Sequence, residues 1–144
     1  GRVRDFAMND RCAAGTGRFL EMVAARLGVD WQKLGELGRS SKKPAIISNM
    51  CVVFAETEII GLLAEGVPVA DVVAGVQNAI ATRVAALAGR SMAPPVYFTG
   101  GVARQSGMAR ALEEVLSCPL GIAPNPQFTG ALGAALLASE RGKT

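Results

Sequence analysis

Residues 95–123 read PVYFTGGVARQSGMARALEEVLSCPLGIA, and this stretch decides the fold class. The apolar run Pro95–Thr99 predicts a strand, the amphipathic segment Met108–Leu116 predicts a helix, and Leu120–Ala123 predicts a second strand. A helix rich in small residues is predicted next, over Phe128–Ser139. Strands that are joined by helical crossovers pair in parallel. The sequence therefore predicts an α/β fold with a short, mostly parallel sheet and flanking helices.

The sequence upstream of this unit predicts two further strands and four helices. Arg2–Met8 alternates imperfectly between polar and apolar residues, which is typical of a strand, and Ala45–Ile47 is predicted as a shorter one. An amphipathic helix is predicted to stop at Gly28, and Asp30 is a candidate cap for a short helix through Leu37. The remaining two predicted helices are Cys51–Ala64, with Ser48 or Asn49 as its cap, and Val69–Leu87.

Composition and charge narrow the class of protein. The 144 residues, 50% hydrophobic and 19% charged, suit a single globular domain with its own core. The net charge is only +3, basic residues are scattered and aromatics make up 5%, so we expect no nucleic-acid partner. No run reaches the roughly 20 apolar residues of a membrane span, and no signal peptide is visible at Gly1. We therefore expect a cytoplasmic protein without membrane contact.

Three cysteines and no histidine limit the possible chemistry. The lack of histidine excludes Ser-His and Cys-His catalytic pairs and imidazole metal ligands. Cys12 and Cys51 each precede a predicted helix, whose unpaired N–H groups and dipole favour an anionic ligand such as a thiolate. Two thiolates cannot complete a four-thiolate iron–sulfur site, but a twofold dimer would supply the other two. Buried structural cysteines are the ordinary alternative, which the spacing leaves open. Cys118 is interpreted as a core residue.

Two glycine loops also stand at predicted helix starts. Gly15-Thr16-Gly17 and Thr99-Gly100-Gly101 would let the backbone approach a ligand, and a helix start favours anionic or polar groups. A plain tight turn is the alternative for the second loop. The pattern GxxxxGK(S/T) does not occur, so the chain is not a P-loop NTPase. We expect close packing on the sheet for the small residues of the last helix, which are Gly130, Ala131, Gly133, Ala134 and Ala135.

Four motifs together resemble one known family. They are MNDRCAAGTGRFLE at Met8–Glu21, SNMCVVFAETE at Ser48–Glu58, FTGGVA at Phe98–Ala103 and PQFTGALGAA at Pro126–Ala135. In this order they resemble the BadF/BadG/BcrA/BcrD family, which includes activators of 2-hydroxyacyl-CoA dehydratases and ATPase subunits of benzoyl-CoA reductase. The motifs cover nearly the whole chain.

The resemblance implies an actin/Hsp70/sugar-kinase fold (ribonuclease H-like) and a homodimer that shares one [4Fe–4S] cluster. It also implies that a flavodoxin or ferredoxin reduces the cluster and that ATP or ADP with Mg²⁺ controls the dimer. A low-potential electron would then pass to an acyl-CoA dehydratase or an aryl-CoA reductase. The site residues that the resemblance implies are Cys12 and Cys51 for the cluster, Gly100 and Gly101 for the adenosine, and Gly15, Thr16 and Gly17 for the nucleotide cleft.

The chain departs from the family pattern at its amino end. Family members carry a phosphate-binding DxGS-type loop and a second acidic glycine hairpin, and neither is present here. We therefore interpret residues 1–144 as one domain, the carboxy-terminal portion of an activator, and assign it no catalytic residue. We expect this piece alone to hydrolyse no ATP. Two alternatives remain open: a sugar-kinase relative without a cluster, and a non-catalytic dimerisation module bridged by a metal such as Zn²⁺.

Overall fold

The protein is a helical assembly around a small parallel sheet. The computed structural model describes residues 3–9, 17–48, 51–89 and 92–142. In chain order the elements are α1 (Gly17–Leu27), a 3-10 turn (Trp31–Lys33), α2 (Leu34–Arg39), α3 (Val52–Ala64), α4 (Val69–Ala88), β1 (Val96–Tyr97), a 3-10 turn (Gly101–Arg104), α5 (Ser106–Leu116), β2 (Leu120–Gly121), a 3-10 turn (Pro126–Phe128) and α6 (Thr129–Arg141). Among the described residues, no helix has the length and apolar character needed to cross a membrane.

The sheet confirms the predicted parallel topology. β1 and β2 pair in parallel, with Val96 opposite Leu120 and Tyr97 opposite Gly121. α5 forms the crossover between the two strands, as strand–helix–strand order requires. The strands are shorter than the apolar runs that predicted them, but the fold class is the predicted one.

The core is built around α4. Helices α2, α3 and α5 pack against α4, and α1 contributes Phe19, Leu20 and Val23 to the same cluster. Met108 of α5 is fully buried there. Most of the core therefore lies between helices and not on the sheet. The buried residues of α4 are Val72, Val73, Ala74, Gly75, Val76, Gln77, Ile80 and Ala81.

Two predicted strands are absent from the described residues. Residues 3–9 form no strand, and the apolar side chains of Val3, Phe6 and Met8 are exposed. Alternation sets the two faces of a strand, but the backbone groups also need a neighbouring strand to pair with. Residues 45–47 are irregular as well, because the Ala45 N–H donates to the Asp71 carbonyl of α4 (2.8 Å) and not to a strand.

The helix starts are partly as predicted. The Asp30 carboxylate accepts the N–H of Gln32 (2.7 Å) and caps the turn that leads into α2, which confirms this cap. Cys51 itself is the N-cap of α3. The predicted cap Ser48 instead bonds to a side chain of the same helix, as described below, and Asn49 lies outside the described residues.

Two predictions about packing are wrong. Cys118 is half-buried beside a shallow cavity next to Ser117 and Pro119, outside the two core clusters of the described residues. The last helix, α6, does not pack its small residues on the sheet. A Cβ atom added at Gly130 or Gly133 would meet nothing within 4 Å. The surface that would cover this helix is not in the described part of the chain.

Candidate functional site

One cavity joins two motifs that are far apart in the sequence. It has a volume of about 460 Å³, within the range of about 300–1,000 Å³ that small-molecule sites occupy. It lies between the first turn of α1 and the turn that follows β1. We call it the glycine cavity. Its lining residues are Gly17, Arg18, Glu21, Trp31, Gly101, Val102 and Arg104.

Gly17 lets α1 begin close to the opposite wall of the cavity. A Cβ atom at this position would lie 3.2 Å from Cγ2 of Val102, which is tighter than ordinary van der Waals contact. Residue 17 is also the first residue of α1, where backbone N–H groups lack helical partners. The small residue and the free N–H groups together form a wall that suits a polar or anionic ligand.

Gly100 and Gly101 have different structural roles. Gly100 has φ +90°, in the region that favours glycine, and its N–H donates to the Pro126 carbonyl (2.8 Å). Gly100 therefore shapes the turn and ties it to the segment before α6. Gly101 lines the cavity, and the position of its missing Cβ has no neighbour within 4 Å. The predicted tight turn and the predicted ligand-facing glycine are both present, at adjacent residues.

Trp31 forms an aromatic wall of the glycine cavity that sequence reasoning missed. The buried side chain of Gln105 donates a hydrogen bond from Nε2 to the Trp31 carbonyl. The Asp30 cap fixes the same turn from its other end. The available signal was the position of this single tryptophan directly after a capping aspartate.

The charged side chains of the cavity carry a net positive charge. Arg18 and Glu21 form an exposed ion pair (2.7 Å), and Arg104 contributes a second guanidinium. Two cations and one anion favour an anionic ligand, although exposed pairs of this kind are screened by salt. Arg104 was also missed, and its signal was its place directly after the glycine turn.

Cys51 occupies the start of α3. Its backbone is extended (φ −85°, ψ 129°), and its carbonyl accepts the Ala55 N–H (2.8 Å), as expected of an N-cap residue. The thiol is exposed and forms no disulfide. Beside it, the large apolar side chains of Val53 and Phe54 are exposed too. An accessible sulfur at a helix start is the placement that the ligand prediction required of this residue.

Two side chains of α3 fix the surroundings of Cys51. The Glu58 carboxylate accepts both the N–H (3.0 Å) and the Oγ–H (2.6 Å) of Ser48, three residues before the cysteine. Glu56 forms an ion pair with Arg26, in the last turn of α1. Glu58 thus holds the segment that leads to Cys51, and Glu56 links the helices that follow the two predicted ligand segments.

The structure tests some of the predicted site residues only. Gly17 and Gly101 meet at one cavity, Gly100 lies next to it, and Cys51 is at a helix start. Cys12, Gly15 and Thr16 lie outside the described residues, so the ligand pair and the first glycine loop stay predictions. Within residues 3–9, 17–48, 51–89 and 92–142, three or more Cys, Asp or Glu side chains nowhere converge on a possible metal position.

Comparison with known proteins gives consistent matches. Residues 1–138 match the BadF/BadG/BcrA/BcrD ATPase family. The chain is 44% identical to the 2-hydroxyisocaproyl-CoA dehydratase activator of Clostridioides difficile, over 99% of this chain and 54% of the relative. It is 46% identical to the (R)-2-hydroxyglutaryl-CoA dehydratase activating ATPase of Acidaminococcus fermentans, over 98% and 55%. Identity to a benzoyl-CoA reductase subunit of Thauera aromatica is 32%, over 94% and 51%.

The fold is shared with a solved activator. The structure of the Clostridium difficile 2-hydroxyisocaproyl-CoA dehydratase activator with bound ADPNP superposes with a TM-score of 0.93 at 43% identity. The match covers 99% of this chain and 53% of that one. The chain therefore spans about half the length of the relatives that it matches.

Proposed function

Because the chain belongs to the BadF/BadG/BcrA/BcrD ATPase family, we propose that it is the carboxy-terminal portion of an ATP-dependent activator. The partner enzyme would be a 2-hydroxyacyl-CoA dehydratase or an aryl-CoA reductase, in line with the relatives named as dehydratase activators and as a benzoyl-CoA reductase subunit. Family membership favours this function over the sugar-kinase alternative. We propose a cytoplasmic location, because acyl-CoA enzymes are the partners.

The nucleotide would bind in the glycine cavity. The observation that carries this proposal is that Gly17 and Gly101, from two separate motifs, line one cavity beside Trp31. A solved relative of the same fold was crystallised with ADPNP. In the proposed mode Gly100 and Gly101 approach the adenosine of ATP or ADP. The first turn of α1, with Gly15 and Thr16 before it, would face the phosphates and their Mg²⁺.

Nucleotide binding can be measured through the only tryptophan of the chain. Because Trp31 lines the cavity, ADP with Mg²⁺ should change its emission on titration. Gly101→Leu should weaken ADP binding at least tenfold. The added side chain has open space before it and enters the cavity without a clash. Gly61→Leu on α3 is the matched control, because the space around Gly61 is equally open and Gly61 does not line the cavity.

Two results would contradict the nucleotide site. The first is calorimetric ADP binding that leaves the Trp31 emission unchanged. The second is equal ADP affinity in the Gly101→Leu and Gly61→Leu proteins. Measured ATP hydrolysis by the 144-residue chain would contradict the separate expectation that this portion alone is inactive.

The cysteines would hold a [4Fe–4S] cluster between two copies of the chain. Cys51 suits this role because its sulfur is exposed, is free of any disulfide and stands at the N-terminus of α3, where N–H groups and the helix dipole favour negative charge. Cys12 is the second proposed ligand in each chain. When bound, the cluster supplies one-electron chemistry. The proposed electron donor is a flavodoxin or ferredoxin, and the chain itself holds the cluster at the dimer axis.

The ligand assignment has a direct chemical test. Anaerobic reconstitution with iron and sulfide should yield about one cubane cluster per two chains, since each chain offers two thiolates. Cys12→Ser and Cys51→Ser should each abolish iron uptake, while Cys118→Ser should retain it as the matched control. Iron content, sulfide content and the solution mass of the reconstituted protein give the readout. Retention of the cluster in the Cys12→Ser protein would show that the assignment is wrong.

A further inference from the structure

The last helix, α6, has the composition of a buried helix. Its sequence TGALGAALLASER has no charged residue before Glu140. A helix that is apolar on all sides is normally enclosed by other elements, whereas a surface helix keeps one polar face. The leucines of α6 are nevertheless exposed in this chain: Leu132 by 61%, Leu136 by 57% and Leu137 by 63%.

The described chain supplies little packing for this helix. α6 contacts mainly the preceding turn, Pro126–Phe128, and Phe128 in that turn is itself 62% exposed. A helix of 13 residues is only marginally stable in water without tertiary packing. The leucines and Phe128 form a continuous candidate interface, which we call the α6 surface. Its stability as a helix requires a covering partner.

The size of the exposed surface points to a large partner. The chain has 9,617 Å² of accessible surface, whereas a compact monomer of its mass has roughly 7,000 Å². The excess is several times the roughly 800 Å² that one partner buries in a standard interface. The two-stranded sheet agrees with this, because parallel sheets are usually larger and covered on both faces. The missing cover is therefore of the size of a domain.

We infer that the α6 surface docks the part of the family fold that lies outside these 144 residues. The solved activator has the same fold over this chain and continues for the 47% of its length that the match leaves out. A second copy of α6 is a poorer occupant. A twofold contact would cover one face of the helix, whereas α6 is apolar on every side. This inference goes beyond nucleotide and cluster binding and does not depend on either.

The interface can be reconstituted from two pieces. The 144-residue chain would be mixed with the separately expressed portion of the Acidaminococcus fermentans activating ATPase that the match leaves out. The expected result is a 1:1 complex by size-exclusion chromatography with light scattering. Hydrogen exchange of the α6 amides should slow in the complex. Nucleotide and iron are omitted, so a failure of the proposed function would not affect the outcome.

A charge-insertion variant tests which surface carries the docking. Leu132→Glu with Leu136→Glu should weaken the association about 100-fold, because two apolar anchors are lost and two charges are buried. Val115→Glu on α5 is the control, since Val115 is also an exposed apolar residue (40%) on another helix. Circular dichroism of each variant shows whether the core still folds.

Two outcomes would overturn the inference. In the first, the chain alone forms a dimer that the double variant disrupts, which would make a second copy the occupant. In the second, the double variant binds the complementary portion as tightly as the Val115→Glu protein. The docking surface would then lie elsewhere on the molecule.

Discussion

Helices α4 and α6 have similar compositions and opposite environments. Both consist largely of alanine, glycine and aliphatic residues, and both were predicted from sequence to be packed helices. In α4 eight residues are buried, whereas every described side chain of α6 is at least partly exposed. The difference lies in the neighbours: α2, α3 and α5 surround α4, and only the preceding turn contacts α6 extensively. Apolar composition shows that a helix is to be buried, but not which part of the protein buries it.

The largest expected effect is the loss of a core side chain from α4. Ile80 is 4% exposed and lies in the main hydrophobic cluster. Ile80→Ala removes apolar contacts and leaves a cavity, so the free energy of unfolding should fall by about 2–5 kcal/mol. Urea denaturation followed by circular dichroism measures this value. A loss below about 1 kcal/mol would mean that α4 is not the centre of a cooperative core.

A close backbone approach gives the next largest effect. A Cβ atom at Gly75 would lie 2.1 Å from the carbonyl oxygen of Ala45, so the segment before α3 or α4 itself must move. Gly75→Ala should therefore destabilise the protein by about 1–3 kcal/mol. Gly61→Ala on α3 is the control, and it should stabilise by about 0.5–1 kcal/mol, because alanine favours helix and its Cβ has open space. Equal midpoints in urea for the two variants would contradict this prediction.

The first turn of α4 adds a smaller, pH-dependent contribution. The Asp71 carboxylate accepts hydrogen bonds from the Ser41 hydroxyl (2.6 Å) and from the N–H groups of Lys43 (3.2 Å) and Lys42 (3.1 Å). These bonds, that of Ser41 first, hold the pKa of Asp71 below its ordinary value of 3.8. A lowered pKa means that the charged form stabilises the fold above the unfolded pKa, and that this stability is lost as the pH falls through the folded pKa.

Asp71→Asn should show this contribution as a difference between two pH profiles. The variant should be less stable than the parent at neutral pH, and the gap should narrow as the pH falls below about 3.8 and the parent carboxylate is protonated. Thermal unfolding from neutral to strongly acidic pH gives the measurement. A gap that stays constant over this range would assign the effect to something other than the carboxylate charge.

The smallest effect is expected on α6. Leu136→Ala in the 144-residue chain should change the free energy of unfolding by no more than about 0.5 kcal/mol, as at other exposed positions. The same substitution should weaken docking of the complementary portion in the reconstituted complex. A large loss of stability in the chain alone would show that α6 packs against this chain in solution, which would remove the contrast with α4.

The sequence by itself determined the elements and the family. Local patterns predicted α1, α4, α5 and the parallel pairing of β1 with β2, because apolar periodicity and glycine stops depend on residues that are near in the chain. The four motifs identified the family, which the comparisons confirm. Gly17 and Gly101 were also selected from the sequence as ligand-facing residues, and both line the cavity.

The tertiary structure decided which residues share a site and which surfaces stay open. Trp31 and Arg104 join the glycine cavity only because α5, α1 and the two turns pack together, and no local pattern encodes that meeting. The strand predicted at Arg2–Met8 is absent because pairing depends on a neighbour and not on alternation. The same reason separates α4 from α6. Burial is a property of two surfaces in contact, and the sequence of one helix specifies only the first of them.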